Sequence, residues 1–205
     1  MMKEFITSDT HFGHINICGE NGFVSGRRRF KTTEEMDSEI ITNFNKIVSK
    51  SDITYHLGDI CLNMKPWEVN DILTLMNGAF VFIRGNHDNS KLFKGLQARN
   101  FELPDGRMKY EFHDVGIRKK FNKKAYYLTH FPLGLGENRA IYRNLCGHIH
   151  DEIARESNVL NVGVDSLELP EGLPFGQPIE LIKAYEMVDS KWNNWKEQQD
   201  MLKNL

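Results

Sequence analysis

The chain has 205 residues, 40% of them hydrophobic and 26% charged, with a formal net charge of −2. That length suits one domain over residues 1–205, and the near-balanced charge excludes a nucleic-acid binder that works through its whole-molecule field. No apolar stretch is long enough to cross a bilayer, and the opening MMKEFITSDT lacks the apolar core of a secretory leader. Cys18, Cys61 and Cys146 are widely spaced and form no Cys-x-x-Cys. That pattern argues against a disulfide framework or a thiolate zinc site and favours a reducing, cytoplasmic setting.

In chain order, EFITS (4–8) reads as a short apolar strand. The segment 33–50 places Met36, Ile40, Ile41, Phe44 and Ile47 at helical spacing. Thr33 is its expected cap, with Glu34 and Glu35 in the first turn. DITYHLGD (52–59) reads as a buried strand. KPWEVNDILTLMNG (65–78) reads as a second helix, with Pro66 in its first turn and Gly78 past its end. AFVFIRGNHD (79–88) gives a third strand, so the first half alternates strand and helix, the rhythm of a parallel sheet.

The second half lacks intervening helices. Residues 109–132 hold two or three strand-like runs with short polar breaks, which predicts antiparallel hairpins. AIYRNLCGHIH and NVLNVGVD supply two further strands. A helix is expected from near Pro178, followed by a polar segment in which Trp192 and Trp195 pack onto the domain. The expected architecture is an α/β sandwich of two mixed parallel and antiparallel sheets with flanking helices.

Ligands bind beyond the carboxyl ends of strands in open α/β sheets. Here five strand ends carry Asp9 and His11, Asp59, Asn86 with His87 and Asp88, His130, and His148 with His150. One such histidine alone is most simply a hydrogen-bonded loop residue. Five coincident ends would crowd carboxylates and imidazoles into one cleft, where they desolvate and repel one another unless a cation is present. Carboxylate, imidazole and amide donors without thiolate suit Mn²⁺ first, with Fe²⁺, Zn²⁺ and Ni²⁺ as alternatives. These candidates exceed the needs of one ion, and seven ligands would match two ions sharing a carboxylate, an arrangement that serves in-line displacement at phosphorus.

These motifs resemble those of the calcineurin-like metallophosphoesterase superfamily: D-x-H at 9–11, G-D at 58–59, G-N-H-D at 85–88, a lone His130, and G-H-x-H at 147–150. SDTHFGH, EEMDSEIITNFNKIV, YHLGD, LTHFPL and NVGVD are further similar to a small bacterial and phage branch of it. The resemblance implies that Asp9, His11 and His150 hold one ion, that Asn86, His130 and His148 hold the other, and that Asp59 bridges them. It implies His87 as the phosphate-contacting general acid and Asp88 as the group that orients it. A hydroxide bridging the metals would be the nucleophile. The stretch GDICLNMK has neither the second aspartate nor the arginine of the protein Ser/Thr phosphatase motif, which argues against that activity.

The expected substrate is a phosphodiester or phosphomonoester of a nucleotide or other small molecule. Nuclease action on single-stranded nucleic acid is the alternative, and a non-catalytic scaffold the third reading. GFVSGRRRFKTT is either a solvated loop or a flap whose Arg27, Arg28 and Arg29 grip a phosphate, joined by Arg139 and Arg143. His14 stands three residues beyond His11 and is read either as a contact to the cleft or as loop filler. His56, inside the second strand, is expected to be a hydrogen-bonded core residue. Cys61 and Cys146 read as small buried hydrophobes.

Overall fold

Strand β1 (Glu4–Thr7) sends Phe5 to one core and Ile6 to another, as the two-residue period of a strand requires. Strand β2 (Ile53–His56) pairs parallel to it, and β3 (Ala79–Ile83) parallel to β2. β3 is buried throughout, with Phe80 and Phe82 on one side and Val81 and Ile83 on the other. Helix α1 (Thr33–Ile47) lays Met36, Ile40 and Phe44 on the first core in a single stripe. Helix α2 (Pro66–Leu75) adds Val69 and Leu73, and α3 (Ser90–Gln97) adds Leu92, Phe93 and Leu96. The cap of α1 is Thr32, one residue earlier than expected: its hydroxyl accepts from the Glu35 amide at 3.2 Å.

Strand β4 (Tyr110–His113) joins this sheet parallel to β3. It is not part of a hairpin, and the crossover that makes the parallel pairing possible is α3. The hairpin expected in this region is β5 (Gly116–Phe121) with β6 (Lys124–Thr129), which are antiparallel. They open a second sheet completed by β7 (Tyr142–Cys146) and β8 (Val159–Asn161), both parallel to β6. Strand β9 (Ile179–Glu180) returns to pair antiparallel with β1. The expected late helix therefore begins after that strand, as α4 (Leu181–Lys203), and continues through both tryptophans.

The five-stranded sheet is ordered β4-β3-β2-β1-β9 and the four-stranded sheet β5-β6-β7-β8. Ile6, Tyr55, Val81 and Ile83 of the first meet Tyr126, Leu128, Leu145 and Leu160 of the second, with Ala184, Tyr185 and Val188 of α4 packed against them. The chain is thus the two-sheet α/β sandwich, with mixed sheets and flanking helices. A bridge between Ser8 and Gly163 ties the end of β1 to the segment after β8. The computed structural model describes residues 2–18, 28–136 and 140–203. None of the described helices is long and apolar enough to cross a membrane.

Candidate metal centre

The ladder between β1 and β2 runs past the strand ends. Asp9 N–H donates to Gly58 O at 3.0 Å, and His11 N–H to Asp59 O at 3.1 Å. Main-chain pairing therefore carries Asp9, His11 and Asp59 to one edge. Asn86 arrives beyond β3, His130 beyond β6, and His148 and His150 beyond β7. Asp9, His11, Asp59, His148 and His150 all have positive φ, between 48° and 71°. A left-handed non-glycine residue costs about 1–3 kcal/mol and persists only where its surroundings impose it. Only eight described non-glycine residues have positive φ, and five of them are these. The local backbone strain is concentrated where the donors converge.

The preceding motif glycines permit that convergence. A Cβ on Gly85 would stand 2.2 Å from Asp59 Oδ1, and one on Gly147 would stand 2.3 Å from Asp9 Oδ2. Neither position accepts a side chain while the carboxylates stay in place.

The donors form two trios, Asp9–His11–His150 and Asp59–His130–His148, each with its donor atoms within 4.8 Å of one another. Asp59 Oδ2 lies 3.5 Å from His11 Nε2 and 3.5 Å from His130 Nε2, so one carboxylate oxygen faces both. Asn86 Oδ1 joins the second trio at 2.7 Å from His130 Nε2 and 2.8 Å from His148 Nδ1. All seven expected ligands are brought together.

Whether this set fits a cation is decided by the proton positions. His11 Nε2 is buried and has no hydrogen-bond partner, an arrangement that costs about 1–3 kcal/mol unless something binds it. His130 Nδ1 lies 2.9 Å from Leu57 O, which can only accept. Neutral His130 therefore carries its proton on Nδ1 and turns its Nε2 lone pair toward Asn86 Oδ1, an opposition that a cation relieves. Burial lowers the His11 and His130 pKa values below the ordinary histidine range, and burial pushes Asp9 up to about 7. Neutral imidazoles beside carboxylates that lack compensating charge form a donor set suited to divalent metal.

Surrounding groups hold the candidate ligands in place. The Thr10 hydroxyl donates to Ile60 O at 2.9 Å, so His56 Nε2 donates to the Thr10 oxygen, and His56 Nδ1 accepts from Gly58 N–H at 3.2 Å. This is the core role expected for His56, whose pKa burial lowers to about 3. His14 Nδ1 lies 3.3 Å from His11 Nδ1, so His14 abuts a candidate ligand and does not simply fill the loop. Cys61 and Cys146 are buried thiols, as expected.

Several sequence expectations need correction. Asp88 does not orient His87. It is 2% exposed, and its oxygens accept from the amides of Asp59 at 2.7 Å, Gly85 at 2.9 Å and Ile60 at 3.0 Å. Arg28 is no flap residue: it is buried, with its guanidinium engaged by Asp165 and by main-chain carbonyls. Arg143 is buried too, bonded to Asp189 at 2.7 Å beneath the Trp192 ring, and its strand reaches the donor edge only at the other end. Arg29 is exposed, while Arg27 and Arg139 lie outside the described residues. His87 does face the site, with its side chain 38% exposed and Nε2 3.9 Å from Asp59 Oδ2. Sequence reasoning missed Asp165, which lies 3.1 Å from His150 Nδ1. Its signal was NVGVD, a strand ending in Asp at the same edge.

Residues 2–196 match the sequence pattern of the family described as calcineurin-like phosphoesterase. The chain belongs to this family. The family binds divalent metals, and phosphoester hydrolysis is the chemistry its description names, although it includes non-catalytic members. The chain is 44% identical over 89 residues to an uncharacterized protein of Methanocaldococcus jannaschii, a match covering 43% of this chain and 48% of that protein. The chain thus spans about half the length of the curated relative it matches. A crystal structure of a protein of unknown function from Aquifex aeolicus superimposes with a TM-score of 0.63 at 22% identity, covering 91% of this chain and 100% of that one. This likeness confirms the fold. A structure described as a novel archaeal phosphodiesterase aligns with a TM-score of 0.44 at 20% identity, over 80% of this chain and 84% of that one.

Proposed function

We propose that this calcineurin-like phosphoesterase is a dinuclear enzyme that hydrolyses a phosphodiester or phosphomonoester of a nucleotide or other small molecule. The observation that carries the reading is Asp59 Oδ2, 3.5 Å from a histidine nitrogen of each trio. Asp9, His11 and His150 would hold one ion; Asn86, His130 and His148 the other; Asp59 would serve both. Mn²⁺ suits the donors best, ahead of Fe²⁺, Zn²⁺ and Ni²⁺. Two divalent ions held there would supply charge neutralisation at the phosphoryl oxygens and a water acidic enough to ionise near neutral pH.

The chain's own groups do the rest. His87 stands at the open side, where a ring N–H would donate to the phosphoryl or leaving oxygen. His14 holds the orientation of His11, and Asp88 fixes the turn that carries Asp59. Phe131 is 49% exposed, with its ring centroid 4.6 Å from that of His148. Such a ring beside the donors suits a flat base. With Arg28 and Arg143 buried, Arg29 is the described residue left, of the five arginines expected from the sequence, to meet substrate phosphate. The basic depression of about 310 Å³ lined by Arg118, Lys120, Lys123 and Lys124 lies at the start of β6 and β7, away from the donor edge, and lends the nuclease alternative no support. Steep salt dependence of oligonucleotide binding would favour it. Free cysteines suit a cytoplasmic setting.

The test is metal analysis together with hydrolysis of bis-p-nitrophenyl phosphate in Mn²⁺. Two ions per chain and turnover abolished in Asp59→Asn are expected. Wild-type protein that takes up no metal from saturating Mn²⁺, or Asp59→Asn with full activity, overturns the reading.

A further inference from the structure

Arg28 and Asp165 are not donors, and neither is exposed to a substrate. We propose that this buried pair is a positioning unit for the Asp9–His11–His150 trio alone, so that it governs the loading of one ion and leaves the other untouched. The inference rests on the dinuclear reading above.

The guanidinium makes contacts of two kinds. Toward Asp165 it is bidentate, with Nε to Oδ1 at 2.7 Å and Nη2 to Oδ2 at 2.6 Å. Toward the main chain, Nη2 donates to Asp9 O and Nη1 donates to Thr10 O at 2.9 Å. Those two carbonyls belong to the turn in which Asp9 has φ 58° and His11 φ 49°. Arg28 thus grips the strained main chain that presents two of the three donors.

The third donor is reached through Asp165. His150 Nδ1 lies 3.1 Å from Asp165 Oδ2, and the carboxylate, already committed to Arg28, acts as acceptor. His150 therefore carries its proton on Nδ1 and leaves Nε2 unprotonated, the arrangement that orients metal-binding histidines generally. The segment holding Asp165 is itself tied to β1: Val164 N–H donates to Ser8 O at 3.1 Å. All three donors are thus linked to one guanidinium, two directly through the main chain and one through its carboxylate partner.

The second trio is positioned by other groups. His130 is held by Leu57 O, and Asp59 by the His87 amide at 2.9 Å. Asn86 lies against His130 and His148. The halves are joined by the His148 amide on the Asp9 carboxylate at 3.0 Å and by the His11 amide on Asp59 O at 3.1 Å, and neither contact passes through Arg28 or Asp165.

Charge gives the perturbation its direction. Arg28 and Asp165 are neutral as a pair. Asp165→Asn keeps the shape, removes the anionic acceptor from His150, and leaves an unbalanced guanidinium beside a cation site. Both effects weaken the same ion. Arg28→Lys keeps the charge but cannot span a carboxylate and two carbonyls, so it acts in the same direction more mildly.

The experiment titrates metal-free full-length protein with Mn²⁺ alone, read by calorimetry and electron paramagnetic resonance. Wild type should take two ions and show an exchange-coupled signal. Asp165→Asn should bind one ion within about twofold of wild type and the other roughly 10–100-fold more weakly, with an isolated-ion signal at one equivalent. Two ions bound with wild-type affinities, or two weakened equally, overturn the inference. A wild type that binds fewer than two ions overturns the dinuclear reading instead. If the variants do not fold, ¹⁵N spectra of wild-type His150 decide: a proton on Nδ1 supports the inference, and one on Nε2 overturns it.

Discussion

Asp88 offers a sharp test, because a role in tuning His87 and a role in clasping the main chain predict opposite outcomes. Its carboxylate is buried and accepts three amides, those of Asp59, Gly85 and Ile60. A hydrogen bond to a charged group contributes roughly 1.5–3 kcal/mol. Asp88→Ala removes both acceptor oxygens and all three hydrogen bonds; with some relaxation, a loss of about 3–5 kcal/mol follows, a large part of a typical domain's stability. Asp88→Asn is the more informative change. Its carbonyl can occupy the Oδ2 position, which serves Asp59 and Gly85, leaving the Ile60 amide against an NH₂ group at a cost of about 1–3 kcal/mol. Urea unfolding of metal-free wild type and Asp88→Asn measures this directly. Expected is a lowered midpoint. An Asp88→Asn protein as stable as wild type would refute the clasp.

Asp37 accepts from the Gly13 amide at 3.1 Å, and burial pushes its pKa from 3.8 up to about 7. The folded state then binds the proton more tightly than the unfolded chain, so this group's stabilisation is full below about pH 4 and is lost as pH rises toward 7. Asp37→Asn should flatten that part of the stability curve, and a slope identical to wild type in urea melts from pH 4 to 7.5 would contradict the assignment. Arg143→Ala strips a buried cation from Asp189, which keeps Lys124 and Tyr126. A loss of about 3 kcal/mol is expected with KM unchanged, and a raised KM in folded protein would restore Arg143 to the substrate.

Much of the donor set is readable in the sequence because strand ends are. A short apolar run followed by Asp-x-His, Gly-Asp or Gly-Asn-His announces both where a ladder stops and what it presents. The supports are less readable because they depend on tertiary partners. Three adjacent arginines look like a solvated loop until Asp165, 137 residues later, turns out to bury one of them. The same holds for β4. Its alternation fits a hairpin as well as a parallel strand, and the deciding element, α3, is only eight residues long. Asp88 misleads for another reason: adjacency to His87 suggests contact, yet the turn aims the two side chains apart.

Asp9 and His11 extend from one sheet and His150 from the other; Asp59 extends from the first, and His130 and His148 from the second. Each trio therefore exists only while the two layers stay in register along that edge. A small parting of the sandwich would scatter both sets of donors at once, with every helix and strand still intact. Warming or mild denaturant should accordingly silence this protein well before it unfolds.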